Sequence, residues 1–139
     1  MQNISQKACF NAIINDDLAQ VEKLIEQGAD VNIQDADGRT ALHLAADRAN
    51  EELVYLLLLS KVKVHIKDNE GNNALHVAAA KGHHEIVTYL NDYGVDRELV
   101  KHMDQALDLL ALNTAGKTAR MLALDHGHIE IALILKEEE

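Results

Sequence analysis

Residues 37–46 read DGRTALHLAA, and residues 70–79 read EGNNALHVAA. Gly38, His43 and Ala45 each recur 33 positions later, so the two stretches are copies of one unit. A poorer copy, AGKTARMLAL, occupies residues 115–124, and its glycine comes 45 positions after Gly71, which indicates an insertion of 12 residues. The outer half of one more copy survives at 16–32 as DDLAQVEKLIEQGADVN. A fixed period of this length is the signature of stacked units that share one core, and here it predicts four of them.

Each unit contains two apolar stripes at helical spacing, which predicts a turn, a helix, a short loop and a second helix. In the second unit the stripes are Leu42, Ala45 and Ala46, followed by Leu53, Val54, Leu57 and Leu58. Polar residues that can cap a helix start precede the first helix of three units: Thr40, Asn73 and Thr118. Gly28 and Gly94 are expected to end the second helix in the left-handed region. The alanine pairs 45–46 and 78–79 predict close approach of neighbouring first helices.

The composition agrees with a helical array in a single domain. Of the 139 residues 47% are apolar but only 3% are aromatic, and proline is absent. The formal net charge of −10 repels phosphate backbones and anionic lipid, so we expect neither nucleic-acid nor membrane binding. With one cysteine, no secretory signal and no membrane-spanning stretch, the chain is expected to be soluble and cytoplasmic, with the nucleus as a further compartment.

Four segments together identify a family. They are GADVN at 28–32, DADGRTALHLAA at 35–46, GNNALHVAAAKGHHEIVTYL at 71–90 and DHGHIEIALIL at 125–135. This pattern resembles the ankyrin repeat, over essentially the whole chain apart from the insertion. The resemblance implies an all-α solenoid of antiparallel helix pairs joined by β-hairpin-like turns. We expect one domain, 1–139, with repeats at about 1–34, 35–67, 68–112 and 113–139.

The insertion falls within 97–112, where Leu99, Met103, Leu107 and Leu110 recur at helical spacing. We interpret it as an extra amphipathic helix. It either shields apolar surface on the outer side of the array, where Tyr55 and Leu59 replace the family's usual polar residues, or offers a docking face to a partner. The last helix also carries an apolar pair, Ile129 and Leu133, which suggests self-association, a longer natural chain, or cover by the inserted helix.

No catalytic or metal-binding constellation appears in the sequence. The eight histidines lack the spacing of zinc ligands, and in the family the histidine at the place of His43 and His76 is structural, bonding near the threonine hydroxyl and the turn backbone. Cys9 falls on an expected core position and has no neighbouring base. We therefore expect no enzyme activity, no cofactor and no metal.

The resemblance implies that function lies in a concave groove formed by the turn tips and the exposed sides of the first helices. Carried over position by position, the groove residues are Ala36, Asp37, Arg39, Asp47, Arg48, Asn69, Glu70, Asn72, Ala80, Lys81, Thr114, Ala115, Lys117, Asp125 and His126. Their charges favour a charged protein or peptide partner over an apolar ligand. Arg39 and Arg48 are the first choices as anchors, because arginine is enriched at binding hot spots.

The family resemblance carries two further expectations. The protein is a non-catalytic interaction module, or alternatively an inhibitor or regulatory subunit of an enzyme, or else a secreted intracellular effector or a fragment of a larger multidomain protein. Asn32, in the sequence Asp30-Val31-Asn32, resembles the asparagine that intracellular oxygenases hydroxylate in ankyrin repeats. The sequence does not identify the partner, because repeat arrays share a scaffold and differ at variable positions.

Overall fold

The computed structural model describes residues 10–60, 62–95 and 111–135, and over these ranges it is helical with no β-strand. Residues 10–14 are helical. The following helices are α1 (Leu18–Glu26), α2 (Ala41–Asp47), α3 (Glu51–Leu59), α4 (Ala74–Lys81), α5 (His84–Val95), α6 (Ala119–Asp125) and α7 (Ile129–Ile134). This architecture confirms the expected all-α class.

Polar side chains cap the helix starts where the sequence predicted them. The Thr40 hydroxyl accepts a hydrogen bond from the backbone N–H of His43 at 3.4 Å, and Asn73 Oδ1 accepts from His76 N at 2.9 Å. Thr118 does the same for Met121 at 3.2 Å. Because the first amides of a helix have no partner inside it, these contacts determine where α2, α4 and α6 begin.

The helices form two stacked layers. The inner helices α2, α4 and α6 contact one another in succession, and the outer helices α1, α3, α5 and α7 do likewise, while each inner helix contacts the outer helix that comes after it. Ala45, Ala46, Ala78 and Ala79 are fully buried between the inner helices. Their small side chains let these helices pack closely, as the sequence predicted.

The fourth unit stacks directly on the third despite the longer spacing between them. Helix α6 contacts α4, and α7 contacts α5. The backbone N–H of Thr114 donates to the Glu70 carbonyl at 3.0 Å, which repeats the 3.0 Å bond from Asn69 N to the Asp37 carbonyl one unit earlier. The insertion therefore does not separate the two units. The predicted helix at 97–112 lies outside the described residues except for 111–112, as does Cys9.

The two glycines expected to end outer helices behave differently from each other. Gly28 has a φ of +87° and comes just after α1, as expected for a glycine that ends a helix. The prediction for Gly94 was wrong, because α5 continues through that residue to Val95. Whether a helix ends at a glycine depends on the next segment of the chain, and after Gly94 that segment is the insertion rather than the turn of the next unit.

Two residues other than glycine occupy the left-handed region between inner and outer helices. Gly82 and Gly127 have φ of +78° there, whereas the equivalent positions in the first two units are Asp16, with φ of 56°, and Ala49, with φ of 57°. A side chain in this region costs about 1–2 kcal/mol, so the first two units carry backbone strain that the last two avoid.

Candidate partner-binding groove

Two buried histidines hold the turn tips against the inner helices. Thr40 N–H donates to His43 Nδ1 at 3.1 Å, and His43 Nε2 donates to the Asn72 carbonyl of the next unit at 2.7 Å. His76 repeats the arrangement, with Asn73 N–H on Nδ1 at 3.1 Å and the carbonyls of Ala111 and Lys117 at 2.9 and 3.1 Å from Nε2. The structural role that the family resemblance implied for these histidines is confirmed.

The same surroundings keep both imidazoles neutral. Burial lowers the pKa of His43 and of His76 below the ordinary value of 6.5, and the carbonyl acceptors at Nε2 only partly offset this effect. Protonation would also place a hydrogen on Nδ1, which already accepts from a backbone N–H. The histidines therefore act as uncharged struts between units.

A cleft of about 420 Å³ opens beside these histidines, between the second and third units. One wall consists of turn-tip residues and the other of inner-helix residues from α2 and α4. Its lining is Asp37, Arg39, His43, Asp47, Asp68, Asn69, Glu70, Asn72, His76, Val77, Ala80 and Lys81. Part of the concave groove expected from the family resemblance is thus present at this junction.

The predicted groove residues divide into two sets. Eight of them line the cleft: Asp37, Arg39, Asp47, Asn69, Glu70, Asn72, Ala80 and Lys81. The seven others do not line it: Ala36, Arg48, Thr114, Ala115, Lys117, Asp125 and His126. Of these, the Thr114 hydroxyl donates to the Glu70 carbonyl at 2.8 Å, and Lys117 pairs with Asp125 within the fourth unit.

Arg48, expected beside Arg39 as an anchor, is directed elsewhere. Its guanidinium donates to the Ile14 carbonyl at 2.9 Å and to an Asp16 carboxylate oxygen at 3.1 Å, so it ties the second unit to the first. The hydrogen bonds from Arg48, followed by those from Asn50, hold the pKa of the Asp16 carboxyl below its ordinary value, while Asp16 raises the pKa of Arg48. The structure therefore gives Arg48 a packing role away from the cleft.

Four lining residues were absent from the predicted set: His43, Asp68, His76 and Val77. The histidines were assigned a purely structural role, yet their rings also form part of the cleft wall. Asp68 lies 33 positions after Asp35 and shapes the same turn, its Oδ1 accepting from Glu70 N and Asn72 N at 2.9 Å. The repeat period was the signal that could have identified Asp68.

Asn32 lies apart from the cleft and links two units. Its Oδ1 accepts a hydrogen bond from Lys63 N at 2.8 Å, and its backbone N–H donates to Asp30 Oδ1 at 2.8 Å. This contact gives the asparagine a structural role. Its hydroxylation remains a prediction.

Within ranges 10–60, 62–95 and 111–135, no group of three His, Cys, Asp or Glu side chains is placed to hold a metal ion. Over the same part of the chain, the helices are too short or too polar to cross a membrane.

Comparison with known proteins agrees with the two-layer stack of helix pairs. A family model described as ankyrin repeats, in three copies, matches residues 9–98, which is more than half of the chain. The chain belongs to the ankyrin-repeat family. The α6–α7 pair lies beyond the matched region, but it continues the same layers and repeats the same turn contacts. This ankyrin-repeat chain therefore has a fourth helix pair after the matched ones.

Relatives share part of this ankyrin-repeat chain. Ankyrin repeat domain-containing protein 46 of Rattus norvegicus is 46% identical over 48 residues, covering 34% of this chain and 21% of the relative, and that of Mus musculus gives the same values. The protein of the same name from Danio rerio is 51% identical over 41 residues, covering 30% of this chain and 18% of the relative. The chain spans about a fifth of the length of the curated relatives it matches. Ankyrin repeats are generally protein–protein interaction modules and are typically non-catalytic.

Proposed function

We propose that this protein is a non-catalytic binding module that presents the cleft between its second and third units to a protein partner in the cytoplasm or nucleus. The cleft itself is the observation that carries the proposal, because eight predicted groove residues line its two walls, one formed by turn tips and the other by inner helices. The inner helices fix one wall through buried alanines, and the histidine struts fix the other. A preformed surface of this kind loses little conformational entropy on binding.

The charges around the cleft favour a protein over a nucleic acid or an anionic membrane. Carboxylates at the cleft, together with the overall charge of −10, repel polyphosphates and anionic lipid. A folded domain or a peptide can instead match alternating charges and small apolar areas side by side.

Site-specific photo-crosslinking tests this proposal. A photoreactive residue is placed at Ala80, inside the cleft, or at Glu52, exposed on the outer helix α3, in otherwise identical chains. We expect one stoichiometric protein adduct in cells from position 80 and little from position 52. The same partner crosslinked equally at both positions, or at position 52 alone, would contradict the proposal. If the adduct is an enzyme that loses activity in the complex, the module acts as an inhibitor.

A further inference from the structure

The cleft is lined by more carboxylates than cations. Four carboxylates stand in its walls, Asp37, Asp47, Asp68 and Glu70, against the two cations Arg39 and Lys81, which leaves a net charge of −2 if both histidines are neutral. Partner recognition at a charged rim depends on the sign of this field. The field therefore favours a positively charged partner.

Both cations are already paired with carboxylates of the same chain. Arg39 Nη2 lies 2.8 Å from Asp37 Oδ2, and its Nε lies 3.6 Å from Asp35 Oδ2. Lys81 Nζ lies 3.2 Å from Asp47 Oδ1. An acidic partner that used Arg39 as its anchor would have to displace these two aspartates. Arg39, expected as an anchor, therefore already has carboxylate partners within its own chain.

The turn tip of the third unit offers acceptors that are not so paired. Among the residues that the structure describes, the Glu70 carboxylate makes no ion pair or side-chain hydrogen bond. Asp68 uses Oδ1 for the two backbone N–H groups of its turn, while its Oδ2 has no hydrogen-bond partner in the same part of the chain. Asp68 and Glu70 thus face the cleft, while the two cations of the cleft are paired with other aspartates.

Part of the wall formed by α4 is small and apolar. Val77 and Ala80 are partly exposed there, one turn apart on the same helix. Lysine and arginine side chains pack their methylene stems on such surfaces while their charged ends reach acceptors at the edge. The cleft combines both requirements, an apolar wall and an acidic rim.

We propose that the cleft binds a basic segment of the partner protein, whose Lys or Arg side chains lie against Val77 and Ala80 and pair with Asp68 and Glu70. This inference rests on the proposed function, which it extends by naming the chemistry of the partner. The overall charge of −10 would attract such a segment, and the attraction would fall with salt as the Debye length shortens.

Two synthetic seven-residue peptides test the sign of the charge that the cleft binds. One carries three arginines separated by Gly-Ser pairs, and the other carries three glutamates in the same places. Each is titrated into the whole chain, and the amide resonances of residues 68–81 report binding at the cleft. We expect the arginine peptide to shift these resonances and the glutamate peptide to leave them unchanged.

A cleft variant and a charge-matched control make the test specific. The cleft variant is Asp68→Asn with Glu70→Gln, and the control is Glu22→Gln with Glu52→Gln, both exposed on outer helices. Asp68→Asn should preserve the turn, because Asn113 already caps the equivalent turn of the fourth unit, its Oδ1 accepting from Ala115 N and Lys117 N at 3.0 Å. We expect the cleft variant to bind the arginine peptide about tenfold more weakly, and the control to bind it like the wild type.

The outcomes separate the two proposals. Equal loss of arginine-peptide binding in both variants, no loss in either, or no shift with either peptide would overturn the basic-segment inference. Binding of the glutamate peptide at the cleft would also overturn it, while leaving the groove as the binding surface. Crosslinking at position 52 rather than 80 would instead overturn the proposed function.

Discussion

At the scale of single residues, the second and third units differ in the side chain that caps the inner helix, which is a threonine in one and an asparagine in the other. Thr40 Oγ1 lies 2.9 Å from His43 Nδ1, so its hydroxyl can share the single lone pair of that nitrogen with the Thr40 backbone N–H while it accepts from His43 N–H. Asn73 places an amide oxygen at the same distance from His76 Nδ1, and that oxygen already accepts from His76 N–H and cannot donate. The third unit therefore brings two acceptor atoms together where the second unit can place a donor beside an acceptor.

We predict that Asn73→Thr raises the free energy of unfolding by about 0.5 kcal/mol, because a shared hydrogen bond, at the low end of the usual range, replaces the contact between two acceptors. Urea denaturation at pH 7.5 measures the change. The reciprocal variant, Thr40→Asn, should lower the free energy of unfolding by a similar amount. An unchanged or lower value for Asn73→Thr would show that the hydroxyl adds nothing at this position.

Ala49 allows a second prediction at this scale. Its φ of 57° places a Cβ where the later units have glycine, and its side chain is exposed. Ala49→Gly should raise the free energy of unfolding by about 0.5 kcal/mol, because relief of strain exceeds the added entropy of the unfolded chain. Ala19→Gly, in the exposed face of α1, should lower it by about 0.5–1 kcal/mol. If Ala49→Gly and Ala19→Gly both lower the free energy of unfolding in the same denaturation experiment, the result would argue against strain at Ala49.

At the scale of the helices, close packing of the inner layer depends on the buried alanines. Ala45 and Ala78 have no exposed surface, and each lies between successive inner helices. Replacing either with Leu should overpack the interface and lower the free energy of unfolding by about 1–3 kcal/mol. Ala19→Leu, on the exposed side of α1, serves as the control and should change it little. Unchanged denaturation midpoints for Ala45→Leu and Ala78→Leu would contradict this packing.

The elements that the sequence predicted correctly depend on hydrogen bonds and turns between residues that are close in sequence. Thr40 caps its helix through His43, three positions away, and Gly38 turns the chain within one tight turn, with φ of +79°. Because the unit repeats after 33 residues, each cap or turn predicted in one unit is also predicted at the equivalent position of the next unit. The end of α5 was mispredicted because no turn of the usual spacing comes after Gly94, since the insertion begins there.

The cleft was predictable in outline but not in its ion pairs. The period located the turn tips and inner-helix positions that line it. The partner of Arg48, however, is Asp16, which lies 32 positions away in a diverged copy of the unit, and no local pattern connects them. Likewise, the pairing of Lys81 with Asp47 depends on how two helices stack. Such contacts decide which charges remain free for a partner.

At the scale of the whole molecule, the histidine struts make stability depend on pH. The unfolded chain binds protons at His43 and His76 near the ordinary pKa of 6.5, whereas both pKa values are lower in the folded protein. Below pH 6.5 the unfolded state therefore binds more protons, and the free energy of unfolding falls as pH decreases toward the folded values. Asp68 partly opposes the shift at both histidines, since its negative charge favours the protonated ring.

We predict a lower free energy of unfolding at pH 5.5 than at pH 7.5, measured by urea denaturation. His43→Gln should reduce this difference, because glutamine does not titrate yet can maintain the reciprocal cap with Thr40. His84→Gln, an exposed histidine at the start of α5, should leave the difference as it is in the wild type. If His43→Gln and the wild type lose the same free energy between the two pH values, titration of the strut is not the cause. If the two proteins differ as predicted, the histidine that joins the second unit to the third also makes the stability of the array sensitive to acid.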